Sequence, residues 1–334
     1  MYSEEDLSSA IDAGVITKDT AQAFREHIAN NRTSPIVDEE HFRLITGFND
    51  IFVVIACFLL LVSVSWIARS IHPFLGGMAQ AATAWGLAEF FTLKRRMALP
   101  SIVLLLAFVG GVFVAGLAAC QNSGWSSELQ TGVVSAIAAI AAWLHWQRFK
   151  VPITVAAGIA TVVASIMFLL FGLVSETREW MIPIIFIAGV IVFLLAMKWD
   201  SSDIQRQTRR SDVAFWLHLV AAPLIVHPIF ALLNVFDNAI GLWQAVLVTL
   251  LYIVIAIISV SIDRRALMVS ALIYVLYAFN TILEQYGVVS LGFAFAALSI
   301  GSGLLILSAF WHDCRTFIVQ HYPLQIQQRL PSLR

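Results

Sequence analysis

From Ile51 to Ala68 the chain reads IFVVIACFLLLVSVSWIA, eighteen residues without a charge. An α-helix needs about 20 mostly apolar residues to cross a bilayer, and this stretch is the first of ten such candidates. They lie at roughly 50–68, 73–93, 100–119, 131–147, 152–174, 180–198, 213–235, 239–262, 266–284 and 289–311. The fourth is the shortest. Lipid offers no hydrogen bonds to exposed backbone, so runs of this length cross it only as helices. Of 334 residues only 12% are charged and the mean hydropathy is +0.85, where a soluble chain carries roughly 25% charged residues. Lipid must therefore cover most of the surface. The expected fold is all-α: a polytopic membrane protein of about ten transmembrane helices. Residues 1–49 form a cytoplasmic helical head with an interfacial helix, 50–311 the bundle, and 312–334 a cytoplasmic C-terminal tail.

The basic residues test this count independently. With the N-terminus in the cytoplasm, the tail, the loops after even-numbered spans and the C-terminus hold 18 of the 20 lysines and arginines. Only Arg69 and Arg178 fall outside. A positive-inside bias of this size supports an even number of spans with both termini cytoplasmic, because a missed helix would scramble the alternation. Trp66, Trp146, Trp180, Trp199, Trp216, Trp243 and Trp311 fall at or near span ends, as an aromatic belt requires. The chain does not open with a short basic region and an apolar core, so no cleavable signal peptide is expected.

Residues 5–30 read as a helical hairpin. Leu7 and Ile11 share a face of the first helix, which Gly14 stops; Thr17 caps a second carrying Ala21, Phe24 and Ile28. After Pro35, residues 38–48 resume as a helix with Phe42, Ile45 and Phe48 turned to the membrane interface. About 30 residues are too few for an independent core, so the hairpin is expected to dock on the bundle, a second copy or another protein. The segment LSSAIDAGVITKDTAQAFREHI, followed by a polytopic apolar region, resembles the N-terminal signature of a family of uncharacterised bacterial membrane proteins. In that family a helix, an "aGxIt" turn and a second helix precede a multi-helix bundle. The resemblance implies a bacterial inner-membrane protein with a cytoplasmic helical head, and it transfers no functional residue.

Within lipid, helices associate through small residues and interhelical hydrogen bonds. Gly77, Ala81, Ala84 and Ala88 share one face of the second span, Gly132, Ala136 and Ala139 one of the fourth, and Gly292, Ala296, Ser299 and Gly303 one of the last. The ninth span instead aligns Ser270, Tyr274, Tyr277, Thr281 and Glu284, with Asn280 beside them. That stripe reads either as hydrogen-bonding glue or as the wall of a hydrated cavity. Glu89 is the one carboxylate well inside a span: an interfacial ion pair with Lys94 or Arg96, or a functional intramembrane acid. Asn49 and Asp50 read as caps of the first span.

The seventh span contains HLVAAPLIVHP. On an unbroken helix His218 and His227 are turned about 180° apart and separated by about 13.5 Å, so they cannot share a metal. Pro223 and Pro228 each lack an N–H and clash with the carbonyl four residues back, so the helix is expected to kink or unwind near 219–224. This reads either as a proline kink that improves packing or as a broken helix lining a polar cavity, with His218 titrating in proton-coupled transport. The 199–212 loop, the longest between spans, divides the bundle into six helices and four. A five-plus-five division would suit inverted repeats, but the second span offers only Gly76 and Gly77 to match the break in the seventh.

No phosphate-binding glycine loop, HExxH motif or paired aspartates are present, and GSG at 301–303 lacks the GxSxG frame. Cys57, Cys120 and Cys314 show no ligand spacing and read as free thiols. The net charge of −1 gives no reason to expect nucleic acid. No enzyme, cofactor or metal is therefore expected. The partners implied are the bilayer and either a second copy or a cytoplasmic protein at residues 5–30. Two functions stand open. One is a secondary-transporter-like bundle whose second, seventh and ninth helices present Glu89, His218, His227, Tyr274, Tyr277, Asn280, Thr281 and Glu284 to a polar path. The other is a non-catalytic scaffold or sensor that binds a partner through its head.

Overall fold

The computed structural model describes residues 4–31, 48–204, 206, 208–233, 242–285, 292–327 and 330. Among them every regular element is helical. The chain forms two compact units, Met1–Leu44 and Ile45–Arg334.

The first unit contains the expected hairpin, α1 (Glu4–Asp12) and α2 (Lys18–Asn31). Gly14 takes φ +69°, and Val15 N–H donates back to Ala10 O at 2.9 Å, the left-handed helix stop that glycine adopts without a Cβ penalty. Thr17 Oγ1 accepts from Thr20 N–H at 3.2 Å and caps α2. Ala21 is fully buried. The expected interfacial helix at 38–48 lies outside the described residues except for Phe48, which opens the next helix.

In the second unit, helix falls on each of the ten apolar segments. They are α3 (Phe48–Arg69), α4 (Pro73–Ala88), α5 (Ala98–Cys120), α6 (Ser127–Phe149), α7 (Ile153–Leu173), α8 (Met181–Ser201), α9 (Arg209–Leu232), α10 (Leu242–Ile262), α11 (Ala266–Gln285) and α12 (Gly292–Ala309). Among the described residues six of these helices, α3 and α5 to α9, are long and apolar enough to cross a membrane, and Val246–Ile262, Ala266–Asn280 and Leu298–Ala309 are shorter apolar stretches. The chain is thus a multi-pass, helical membrane protein.

Local sequence sets several boundaries. His72 Nδ1 accepts from Phe74 N–H at 3.2 Å, with Pro73 at the first helical position, where a missing N–H costs nothing. Ser126 caps α6 through Leu129 N–H, so this segment begins earlier than its apolar run suggests and is 23 residues long rather than the shortest. Asn49 and Asp50 lie inside the first turn of α3, and Asp50 is buried. After α4 the chain continues as a π-helical turn, Glu89–Lys94.

Packing follows small residues. A Cβ on Gly77 would lie 2.5 Å from Ala115 N, and one on Gly111 2.8 Å from Gly77 O, so α4 and α5 approach backbone to backbone, with Ala81, Ala84 and Ala88 buried on the same stripe. The α6–α7 pair behaves alike: Gly132 sits against Leu169, Gly172 against Leu129, and Ser165 Oγ donates to Gly132 O at 2.8 Å. Ala136 and Ala139 are only half-buried, whereas Ser135, Ala138, Ala142 and His145 are buried. The contact face of α6 is therefore turned from the expected one. On α12, Ser299 and Gly303 are exposed and a Cβ on Gly303 would meet nothing within 4 Å. They border an apolar cavity of about 310 Å³ shared with α10 and α11. Here a small-residue stripe does not mark a tight interface; Gly292 and Ala296 fall outside the described side chains.

α9 occupies the centre of the second half, packed against α7, α8 and α11. One side of it joins Ala156, Val192 and Ala196 in an apolar core through Val213, Leu217 and Ala221. Ala222, Val226 and Phe230 join Val248, Ala271 and Val275 of α10 and α11 in a second. Of the two expected outcomes, a kink or an unwound stretch near 219–224, unwinding does not occur: helix runs through Pro223 and Pro228. A Cβ on Gly189 of α8 would lie 2.7 Å from Leu224 C and 2.9 Å from Ile225 N. Leu224 is the residue whose carbonyl Pro228 deprives of its helical donor, so the backbone of α8 closes over the peptide the proline disturbs.

Candidate functional site

The 199–212 segment and the turn between α10 and α11 carry charges that would ordinarily belong to solvent. The structure folds them inward. Asp200, in the last turn of α8, is 4% exposed, and Arg264, in the turn, is 3% exposed. Arg264 Nε and Nη2 donate to Asp200 Oδ2 and Oδ1 at 3.1 and 2.7 Å, the two-pronged geometry that makes arginine–carboxylate pairs strong. Arg264 Nη2 also reaches Ser211 O at 3.2 Å, at the start of α9. His218, 1% exposed, sets Nε2 3.2 Å from Asp200 Oδ2.

Helix-end geometry delivers these groups. Asp263 takes φ 56° and Arg264 N–H donates back to Ser259 O at 3.0 Å, so α10 ends in a left-handed cap built on an aspartate rather than the usual glycine. Ser259 Oγ donates to Arg264 O. The cap turns Arg264 under the end of α8. On the other side, Asp203 Oδ2 accepts from Thr208 N–H and Oγ1 at 2.8 and 2.7 Å, closing the 199–212 loop into the turn that starts α9.

A second ion pair flanks the first. Arg206, with φ 54°, donates through Nη1 to Asp263 Oδ2 at 2.8 Å and through Nη2 to Ile262 O and Asp263 O at 3.2 Å each. Burial holds the Arg206 guanidinium below its ordinary value, and the nearby positive charge of Arg264 adds to the effect. Trp311 Nε1–H donates to the other oxygen of Asp263 at 2.8 Å, and the Arg265 guanidinium lies 4.7 Å over the Trp311 ring. Trp311 is therefore not a belt tryptophan. It is buried, and it opens a further helix, α13 (Trp311–Gln320), packed against α10. The expected C-terminal tail is in this part a structured element.

The eight sequence candidates do not form one group. Glu89 receives Arg148 Nε and Nη2 at 2.9 and 2.8 Å. Its partner is thus an arginine of α6, not Lys94 or Arg96, and the pair is partly exposed. His218 belongs to the Asp200 cluster. His227, on the opposite face of α9 and exposed, sets Nδ1 2.8 Å from Tyr274 OH, whose ring stacks on Phe230 at 4.7 Å. Tyr277 is exposed and Asn280 half-buried. The side chains of Thr281 and Glu284 lie outside the described residues. α4 packs on α3 and α5, and α9 on α7, α8 and α11, so Glu89 and His218 stand in different parts of the bundle.

Reading the sequence missed Asp200, Arg206, Ser211, Asp263 and Arg264. One signal was available: the turn between α10 and α11 is so short that Asp263 and Arg264 must sit at helix ends beside the bundle. A further histidine, His145 of α6, is wholly buried. Phe149, Phe108 and Trp85 surround it with ring centroids at 4.5, 5.8 and 6.1 Å, and its Nδ1 lies 3.3 Å from Thr154 Oγ1. No cluster of three or more potential metal ligands occurs among the described residues.

The chain matches no family model, no curated protein and no solved structure.

Proposed function

We propose that the chain is a ten-span protein of the bacterial inner membrane, with both termini cytoplasmic, and that it acts as a proton-coupled secondary carrier. The ten helical segments and the 18-to-2 partition of basic residues support the topology. In that topology the ends of α8 and α10, the start of α9 and α13 all lie on the cytoplasmic side. The observation that carries the functional reading is the burial of His218, Asp200 and Arg264 together, where the ends of α8 and α10 meet α9. Ionisable groups held away from water in a membrane protein are costly and mark ion or substrate paths. The His227–Tyr274 pair supplies a second polar point on α9. Glu89 takes no part in this reading, because its partner Arg148 lies on α6.

The test is reconstitution in liposomes that enclose a pH-sensitive dye. Pools of small organic ions are added outside and proton movement is followed. The carrier reading expects movement with at least one pool and its loss in His218→Gln. No movement from any pool in folded, correctly inserted protein overturns it. A non-catalytic scaffold or sensor is the second reading. The α1–α2 hairpin favours it: this unit exposes Val15 at its turn, 76% accessible, as a partner-binding element would.

A further inference from the structure

Asp200 is a single carboxylate facing two side chains able to carry positive charge. Arg264 holds both of its oxygens, and His218 Nε2 shares Oδ2. Arginine keeps its proton, and a carboxylate paired with it has none to give. The hydrogen between His218 and Asp200 therefore sits on Nε2, and Nδ1 is the basic nitrogen of a neutral ring. Nδ1 is buried and has no hydrogen-bond partner. The charged groups facing His218 are Asp200 from α8, Arg264 from the turn after α10 and Arg206 from the α8–α9 loop. Its ring neighbour from α8 is Phe193; Asp212, on its own helix, lies in the field of Arg264 rather than of His218. Arg206 is already paired with Asp263. A proton added to Nδ1 thus creates an imidazolium with no carboxylate of its own. Buried cations without a partner are strongly disfavoured, so the imidazolium and the guanidinium compete for Asp200.

We propose that the Arg264–Asp200 pair is a cytoplasmic clasp that protonation of His218 releases. Nδ1 takes a proton from hydronium: an N–H bond forms as an O–H bond breaks, and water is left behind. The imidazolium keeps Asp200, Arg264 leaves for solvent, and the α10–α11 turn parts from the end of α8. The clasp joins three elements, because Arg264 also bonds Ser211 of α9; its release therefore frees α9 from the turn as well. As a gate it rests on the carrier reading; as a pH-driven structural change it stands alone.

The experiment uses the full chain in lipid nanodiscs, with Cys57, Cys120 and Cys314 replaced and spin labels at the exposed positions Ser202 and Val269. Distance distributions are compared at about pH 8 and about pH 4, the lower value well below the ordinary imidazole pKa of about 6.5. Wild type is expected to gain a longer-distance population at the lower pH. His218→Gln keeps an N–H for Asp200 but cannot become cationic, and should keep the short distance at both. Arg264→Gln should show the longer population at both. An unchanged wild-type distribution overturns the clasp, as does a His218→Gln response equal to wild type. Proton flux without the distance change sinks the clasp alone. The distance change without flux sinks the carrier reading alone.

Discussion

Asp200 and Arg264, 64 positions apart in the chain, meet through two parallel hydrogen bonds with both side chains almost wholly buried. Three successive pieces of chain converge there: the end of α8, the start of α9 and the turn after α10.

Removing one partner should be far worse than removing both. Arg264→Met leaves the buried Asp200 carboxylate with only His218 bonded to it, and stranding one partner of a buried pair typically costs about 3–5 kcal/mol. Asp200→Leu combined with Arg264→Met removes both charges and should recover much of that loss. Thermal unfolding in detergent of the two single variants and the double variant measures this. Additive losses in the double variant would mean that the pair is not the unit of stability.

Gly189 and Gly303 make a matched pair of tests. Gly189→Ala pushes a methyl group into the 224–225 backbone, which cannot yield as a side-chain tip can. Overpacking of this kind typically costs about 1–3 kcal/mol. Gly303→Ala points into open space and should leave the melting temperature unchanged or slightly raised. Equal effects would contradict the close approach of α8 and α9.

The proposed topology predicts a labelling pattern. A membrane-impermeant maleimide applied to intact cells should modify Cys120 or a cysteine replacing Asn122, both at the α5–α6 connection. It should miss a cysteine replacing the exposed Ser202. Modification at position 202 would reverse or break the assignment of sides.

Glu89→Gln separates the two parts of the bundle. It removes a partly exposed pair with Arg148, and such pairs add little to stability. It should therefore leave both the melting temperature and any proton flux near wild type. A flux loss as large as that of His218→Gln would bring α4 back into the path.

What the sequence determined by itself is local. Apolar run length forces helices, because backbone in lipid must bond to itself, and all ten segments are helical. Gly14 and Thr17 end and begin helices by interactions reaching only a few residues, so the hairpin is legible in one dimension, whereas the cap at Ser126 starts α6 ahead of its apolar run and escaped the reading. The 180° separation of His218 and His227 follows from helix geometry alone, and one is buried while the other is exposed. The tertiary structure decided which charge meets which. Glu89 had cations five and seven positions away, yet Arg148 holds it, since folding brings α6 beside the end of α4. Asp200, Arg206, Asp263 and Arg264 look like ordinary loop charges until the ends of α8 and α10 and the start of α9 come together. Pro223 and Pro228 signal a break, but α9 stays helical with neighbours on three sides and Gly189 pressed against it. A small-residue stripe permits close approach without requiring it: Gly77 has Ala115 opposite, whereas Gly303 borders a cavity. Partner choice depends on contacts between residues tens of positions apart, and no periodicity within a single helix encodes them.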